Sequence, residues 1–530
     1  MAPITEVTTL LGLTLLASVS PLLTLARLWQ LKEWRWDRLR EHLRSFGILR
    51  QLFGITRPVL IAAGIALGHV GSMRLHPWTL VTLGALALLT VIQIVLRRQP
   101  RPVWTQKALT LTGTAALLTL IAGLLLIQGE ATHVLLPLMV LLQPLFLALA
   151  WILWKPVDVV LKNRILGAAL KLRAAYPNLT VVGITGSVGK TTTKELLAHI
   201  LKRKNPFVTP EHVNSEMGVA QWVQRTLPEM GKEEERLVIV EMGAYRKGEI
   251  TFLCSLAKPQ IGILTSIGTQ HLALFGGAEA LVEAKAELIE ALPTNGHAFL
   301  NGDNEACRTV AKKAKCPVTL VGTGGHLDLE AFEIEETPGG IRFQIAQQPF
   351  TVPIHGTHNV TNVLLAVAAA EHLGIPMQES ADSLRSFVPI KNTFEVREEQ
   401  GVTILDDTHN ASPASFAAAI EWARSHPAAK KILLTSGIIE LGEEEEKVHT
   451  KLGADSAPVF QEAIFTGKHS AAAFERGYGR KVKILGKGEN IIPPGSLLVC
   501  IGFVPQSIIQ RILSSQQTSK PANNASSSIF

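Results

Sequence analysis

Residues 179–201 read LTVVGITGSVGKTTTKELLAHIL. A β-branched run through Val181 and Val182 enters a glycine-rich turn, and helical spacing then begins at Lys190 with Leu196, Leu197 and Ile200 on one side. Strand, glycine turn and helix in that order form a phosphate-binding loop, because glycines let backbone N–H groups approach an anion and the helix N-terminus adds partial positive charge. Thr185, Gly186, Ser187, Gly189, Lys190, Thr191 and Thr192 are therefore the candidate nucleotide contacts. Lys190 would neutralise the outer phosphates, and the Thr191 hydroxyl would ligate Mg²⁺. The spacing departs from the usual G-x-x-x-x-G-K-T: its first glycine position holds Ile184, flanked by Gly183 and Gly186.

Other chemistry-bearing residues sit where extended runs end. Glu241 closes the run Leu237–Val240, which aims a carboxylate at the crevice beyond the carboxyl edge of a parallel sheet, within reach of a Thr191-bound Mg²⁺. His271 follows the run from Ile261 to Ile267, and Asp407 and His409 follow Val402–Leu405. A lone histidine is more often structural than a ligand. Lys285 falls in a helical stretch, where an exposed or salt-bridged lysine is the ordinary case. Asn301 and Asn304 lie in N-G-D-N, which also suits a plain turn. Asn359 begins a helical pattern and suits an N-cap as well as a ligand contact.

The elements that must carry these residues divide the 530-residue chain. The expected fold is a membrane α-helical N-terminal region followed by α/β structure, with a P-loop parallel-sheet central domain and a Rossmann-like C-terminal domain. We place the transmembrane region at 1–154, the ATP-binding domain at 155–385, the C-terminal domain at 386–515 and a disordered tail at 516–530, whose composition is poor in core-forming residues. Charged residues are only 18% against 47% hydrophobic, which excludes a disordered chain and an ordinary cytosolic globule.

The charge deficit is concentrated in residues 1–154. Five apolar segments, about 5–26, 57–73, 77–96, 108–128 and 133–154, approach the roughly 20 residues needed to cross a bilayer; the second, interrupted by Pro58 and His69, is the shortest. The first lacks the positive n-region of a cleavable signal. Arginines and lysines cluster after the first segment (Arg27 to Arg57), after the third (Arg97 to Lys107) and after the fifth (Lys155, Lys162, Arg164). With five crossings, the positive-inside rule puts the N-terminus outside and the α/β region in the cytoplasm, at the inner membrane. The net charge of +7 thus belongs to topology, and no nucleic-acid partner is expected. Trp29, Trp34 and Trp36 among arginines suit an interfacial helix or a plain topogenic loop. The absence of ionisable residues at segment centres, His69 apart, disfavours a transporter. Four cysteines without a C-x-x-C pair signal neither zinc nor a disulfide framework.

The form GITGSVGKTT resembles the Mur ligases, ATP-dependent enzymes that build the peptidoglycan stem peptide. The likeness continues through EHVNSEMGV (211–219), VIVEMGAYRKGEI (238–250), ILTSIGTQHLALFGG (263–277), EAKAELI (283–289), FLNGDN (299–304), HGTHNVTNVLLAVAAA (355–370), ILDDTHNASPASF (404–416) and IIELGEEEEKVH (438–449), in family order. It is greatest to the branch that adds D-alanyl-D-alanine. The resemblance implies a carboxylate activated by ATP as an acyl phosphate and captured by an amine. It implies two Mg²⁺ sites, held by Thr191, Glu241, His271 and a Lys285 that is often carbamylated in the family. Asn301 and Asn304 would face adenine, Asn359 the nucleotide and Asp407 a ribose hydroxyl, with His409 near the γ-phosphate. Lys190, Glu241, His271, Lys285 and His409 form the implied catalytic set.

There are departures. Where the family reads G-R-(M/L)-E, this chain has Asn392-Thr393-Phe394-Glu395, so an arginine contact is lost or supplied by Arg397 or Lys391. The C-terminal K-G-S-R-type segment reads Ile501-Gly502-Phe503-Val504. Apolar segments stand where the resemblance leads one to expect a soluble UDP-sugar-binding domain. The expected partners are accordingly the lipid bilayer, a UDP- or lipid-linked muramoyl-peptide carboxylate, and an amino acid or dipeptide. The rival readings are the same chemistry on another envelope polymer or a polyglutamate-type acid, and a non-catalytic membrane nucleotide sensor.

Overall fold

A computed structural model describes residues 4–70, 76–127, 132–230, 236–268, 275, 277–409, 411–438, 441, 444–468, 470–485 and 492–514. The expected tail at 516–530 lies outside them. The chain divides into two compact units, 1–164 and 165–530.

The first unit is helical. Four of its described helices are long and apolar enough to cross a membrane by length and composition, Val7–Leu31, Pro77–Val95, Gln106–Leu126 and Gln143–Ala174. The expected second segment forms the helix Thr56–Val70, whose apolar stretch Thr56–Leu67 is short for a full crossing. The expected fifth segment is broken. Thr132–Met139 ends at a turn, and the next helix runs from Gln143 to Ala174, straight through position 155 where the sequence suggested a boundary. Pro156, which in the sequence reads as a stop or kink just after Lys155, lies inside this helix and does not end it. Trp29 packs against Trp34, Trp36 and Trp151 with ring centroids 5.4–6.4 Å apart. The helix Trp36–Phe46 turns its apolar stripe, Leu39 and Leu43, into the unit's own core.

The second unit contains two sheets, each covered on both faces. In the larger, β1 (Leu179–Thr185), β2 (Phe207–Val208), β3 (Arg236–Glu241), β4 (Ile261–Leu264), β5 (His297–Asn301), β6 (Val318–Gly322), β7 (Leu329–Thr337), β8 (Gly340–Ile345) and β9 (Gln348–Val352) lie in the order β2-β3-β1-β4-β5-β6-β7-β8-β9. Pairing is parallel from β2 to β7 and antiparallel through β8 and β9, so the expected parallel sheet carries an antiparallel extension. Alternation along β1 sends Val182 and Ile184 into one core and Leu179 and Val181 into the other. Leu196, Leu197 and Ile200 of the helix Lys190–Ile200 pack on the first face. With β1, β3 and β4 in register, Ile184 lies beside Glu241 and Thr185 beside Leu264, which brings three strand ends to one edge.

The smaller sheet comprises β10 (Glu395–Glu399), β11 (Val402–Asp407), β12 (Lys431–Thr435), β13 (Glu462–Phe465), β14 (Lys483–Ile484) and β15 (Leu497–Ile501). Its order is β10-β11-β15-β12-β13-β14, parallel except for the β10–β11 hairpin. On one face the helices Glu445–Ser456 and Ala471–Tyr478 cross at two glycines. A Cβ on Gly453 would lie 2.1 Å from the Phe474 carbonyl oxygen, and one on Gly477 1.8 Å from that of Thr450. Because both obstacles are backbone, Gly477→Ala should force the helices apart and destabilise this domain by about 1–3 kcal/mol. Gly479→Ala, whose Cβ would meet nothing within 4 Å but whose φ is +66°, should cost only about 1 kcal/mol. Thermal unfolding of the two variants checks the difference. The four cysteines, Cys254, Cys307, Cys316 and Cys500, are all free and buried.

Candidate active site

The loop between β1 and the helix Lys190–Ile200 requires its glycines. Gly189 has φ +87°, and a Cβ there would lie 2.3 Å from Asn362 Oδ1; a Cβ on Gly186 would lie 2.0 Å from Thr265 Oγ1. The loop is braced by the segment after β4. Ser187 N–H donates to the Ser266 carbonyl (2.7 Å), Gly268 N–H donates to Ser187 Oγ (3.2 Å), and Thr265 Oγ1 donates to the Val188 carbonyl (2.6 Å). Thr185 is structural as well, its hydroxyl donating to the Met242 carbonyl (2.8 Å). Thr192 is buried in the first helical turn.

Lys190 folds over the loop. Its ammonium donates to the Gly186 and Ser187 carbonyls at 2.9 and 3.0 Å. Burial lowers its pKa, and the nearby Glu241 carboxylate opposes that shift. Thr191 Oγ1 donates to Glu241 Oε2 (3.0 Å), while Asn214 Nδ2 donates to Oε1 (2.9 Å). Beneath them the fully buried Lys194 lies 3.4 Å from Glu241 Oε2 and donates to the Thr209 carbonyl (2.9 Å). Burial alone would raise the Glu241 pKa, but Lys190 and Lys194, with the Asn214 and Thr191 hydrogen bonds, hold it below the usual carboxylate range. Neither Lys194 nor Asn214 stood out as a site residue in the sequence; the signal available was the K-x-x-x-K spacing on the loop helix and the asparagine in EHVN.

Lys285 is buried on the helix Ala278–Glu290. Burial and the Lys190 charge bring its pKa down to about 7 against the opposing pull of Glu249 and Glu287. Those carboxylates are themselves engaged by backbone amides: Glu249 accepts from Tyr245, and Glu287 from Gly248 and Thr251. His271 lies outside the described residues.

The remaining candidates divide between scaffold and open groups. Asn304 caps the helix Glu305–Ala311, accepting from Cys307 N–H (3.0 Å), and donates to the Ile267 carbonyl (3.0 Å). Asn301 accepts from Asp303 N–H (2.9 Å), as a turn residue does. Asn359 does not cap its helix; His358 occupies that position, and Asn359 Oδ1 instead accepts from Asn362, which meets the Thr193 hydroxyl at 3.3 Å.

Asp407 is buried at the end of β11. Its Oδ1 accepts from Phe394 N–H (3.2 Å), while Oδ2 has no partner among the described residues. Burial lifts its pKa to about 6. Arg397, a candidate substitute for the missing arginine, is committed to Asp406 at 2.7 Å and to Gln506 at 3.2 Å, which leaves the exposed Lys391. His409 stacks on His212, and both lie beside Glu211. A cleft of about 410 Å³ runs alongside, lined by Thr191, Glu195, His199 and Glu211 and by Phe387 and Val388 ahead of the smaller sheet.

The residues fit a magnesium nucleotide. The glycines keep the loop concave, Lys190 presents a cation, Thr191 and Glu241 pair two hard oxygens suited to Mg²⁺, and Asp407 Oδ2 is a buried acceptor awaiting a donor.

Residues 184–370 match the Mur ligase middle domain, and 394–492 the Mur ligase glutamate ligase domain. The UDP-N-acetylmuramoyl-tripeptide–D-alanyl-D-alanine ligase of Bacillus subtilis is 32% identical over 58% of this chain and 67% of its own length. The chain belongs to the Mur ligase family. Among solved Mur ligases, MurF from Acinetobacter baumannii superposes with a TM-score of 0.60 at 27% identity, covering 67% of this chain and 80% of that one. MurF from Thermotoga maritima, solved in complex with ADP, gives 0.57 at 28% identity and covers 67% and 83%. The chain spans only 58–65% of the length of the Synechocystis and Mycobacterium tuberculosis relatives. Two Mur ligase domains and several apolar helices thus make up the described fold.

Proposed function

We propose that this chain is a membrane-anchored, ATP-dependent carboxylate–amine ligase that activates its acid as an acyl phosphate. It would join D-alanyl-D-alanine, or a similar amine, to a muramoyl-peptide during peptidoglycan precursor synthesis. The observation that carries this reading is the Thr191–Glu241–Lys190 constellation at the carboxyl edge of a Mur ligase sheet. The relatives' names supply the substrates, and the apolar helices of residues 1–154 supply the anchor, with the α/β unit on the cytoplasmic side.

In this reading Lys190 and the loop amides bind the outer phosphates, while Thr191, Glu241, His271 and Lys285 hold Mg²⁺ at two positions. Bound Mg²⁺ supplies charge neutralisation for phosphoryl transfer. A Lys285 with a pKa near 7 carries an appreciable fraction of neutral amine, the form that carbamylation requires. Asp407 Oδ2 accepts a ribose hydroxyl, Asn301, Asn304 and Asn359 shape the nucleotide's surroundings, and His409 approaches the γ-phosphate.

The test is an isotope experiment with full-length protein in detergent. With muramoyl-tripeptide labelled with oxygen-18 in its reacting carboxylate, plus D-alanyl-D-alanine and MgATP, one labelled oxygen should pass to inorganic phosphate for each amide formed. ATP binding with no label transfer would leave only a nucleotide sensor. Transfer only with a different acid would assign the same chemistry to another polymer.

A further inference from the structure

Glu211, His212 and His409 each offer one ligating atom, and these atoms lie within 4.8 Å of one another. Glu211 Oε1 lies 3.7 Å from His212 Nε2 and 3.6 Å from His409 Nδ1. Ligands about 2.0–2.1 Å from a tetrahedral zinc ion stand roughly 3.3 Å apart, so closure needs side-chain adjustments of a few tenths of an ångström on the carboxylate side. The two imidazoles are stacked, 5.0 Å between centroids and 8° between planes, and because an imidazole lone pair lies in the ring plane, one ring must rotate for both nitrogens to face a single ion. The charged and titratable groups acting on His409 are His212, Glu211 and Glu241. His212 holds φ +65°, a left-handed backbone uncommon for a residue other than glycine or asparagine, at the tip of a turn closed by Val213 N–H to the Pro210 carbonyl.

The two halves of this cluster come from different domains. Glu211 and His212 follow β2 in the larger sheet's domain, three and two residues before Asn214, which holds Glu241. His409 follows β11 in the smaller sheet's domain, its N–H donating to the Asn392 carbonyl. We propose that Glu211, His212 and His409 form a transition-metal site, with Zn²⁺ the best match to a His₂Glu donor set, that ties the two Mur ligase domains together and withdraws His409 from the nucleotide. Imidazole and carboxylate ligands select zinc, cobalt or nickel over Mg²⁺, so the site is chemically distinct from the oxygen site at Thr191 and Glu241. Three protein ligands leave a fourth position for water or a substrate oxygen. The occupied site would make the ligase sensitive to free zinc.

The test uses full-length, chelator-treated protein in detergent and CoCl₂ or ZnCl₂ alone, without nucleotide, so its outcome does not depend on the proposed ligase reaction. Titration with Co²⁺ should give one ion per chain with a visible absorption band of the strength of tetrahedral coordination, displaced by Zn²⁺. His212→Asn and Glu211→Gln should each weaken binding by at least about tenfold. All three side chains are at least partly exposed, so these variants should fold, and circular dichroism verifies that they do. Zinc should also slow ATP turnover in the parent protein and lose that effect in His212→Asn, each variant being compared with its own metal-free rate. A Co²⁺ band that persists in both variants, or a parent protein that binds no ion at equimolar metal, overturns the proposal.

Discussion

Lys190→Ala should reduce ATP turnover in the presence of acid and amine by at least about 10²–10³-fold, the usual effect of deleting one pre-placed positive group at a developing phosphoryl charge. The lysine is set for this by geometry rather than by sequence spacing alone. Its ammonium is held at 2.9–3.0 Å by the carbonyls of Gly186 and Ser187, so it bridges the loop where phosphate oxygens would sit. Those bonds are made to carbonyls rather than to a carboxylate, which leaves the ammonium's charge for the ligand. Removing it also relieves part of the repulsion that lowers the Lys285 pKa and withdraws one of the charges that hold Glu241 ionised, and Lys190→Met and Lys190→Ala should behave alike in turnover. Turnover equal to the parent protein's would end the ligase reading.

Glu241→Gln should have a larger combined effect, because the carboxylate serves partners on two sides. Towards the cleft it receives Thr191 and Asn214; towards the core it compensates the Lys194 ammonium, which has no exposed surface. Neutralising it leaves Lys194 with the Thr209 carbonyl and the half-exposed Glu195 at 3.2 Å. Breaking a buried pair from one side typically costs about 3–5 kcal/mol. The Mg²⁺ concentration for half-maximal turnover should rise by about 10–100-fold in the fraction that folds. The double variant Lys194→Met/Glu241→Gln separates the two roles, since it should recover most of the thermal stability and none of the turnover. If activity returns with stability, Glu241 is a structural partner only and the metal assignment fails.

The loop was legible because every constraint on it is local. Glycines at 186 and 189, a β-branched run before them and helical spacing after them are neighbours in sequence, and the strand ends at Glu241 and Asp407 can be read from short apolar runs. What surrounds the loop was hidden because it depends on pairing between distant segments. Nothing near Asn214 in the chain indicates that its amide will meet Glu241, and the Thr265–Ser266 brace depends on β4 lying beside β1. The roles of Asn304 and Asn359 illustrate an ambiguity that spacing cannot resolve, since an asparagine at a helix start suits a cap, a side-chain bridge or a ligand contact equally well. Here one caps and the other bridges. In the apolar region, hydropathy located the helices but not their ends, because the same helical period runs on from Lys155 to Ala174.

The burial of the cysteines has a practical consequence. Burial pushes the Cys254 and Cys307 thiols up to about 12, and Cys316 and Cys500 also lie above their ordinary value, so none presents a reactive thiolate near neutrality. The native protein should therefore be nearly silent to a membrane-impermeant maleimide. Single cysteines placed in turn at Gln99 and Gly47 would then test the proposed membrane anchoring in intact cells, without stripping any natural thiol, by reporting whether each loop is accessible from outside.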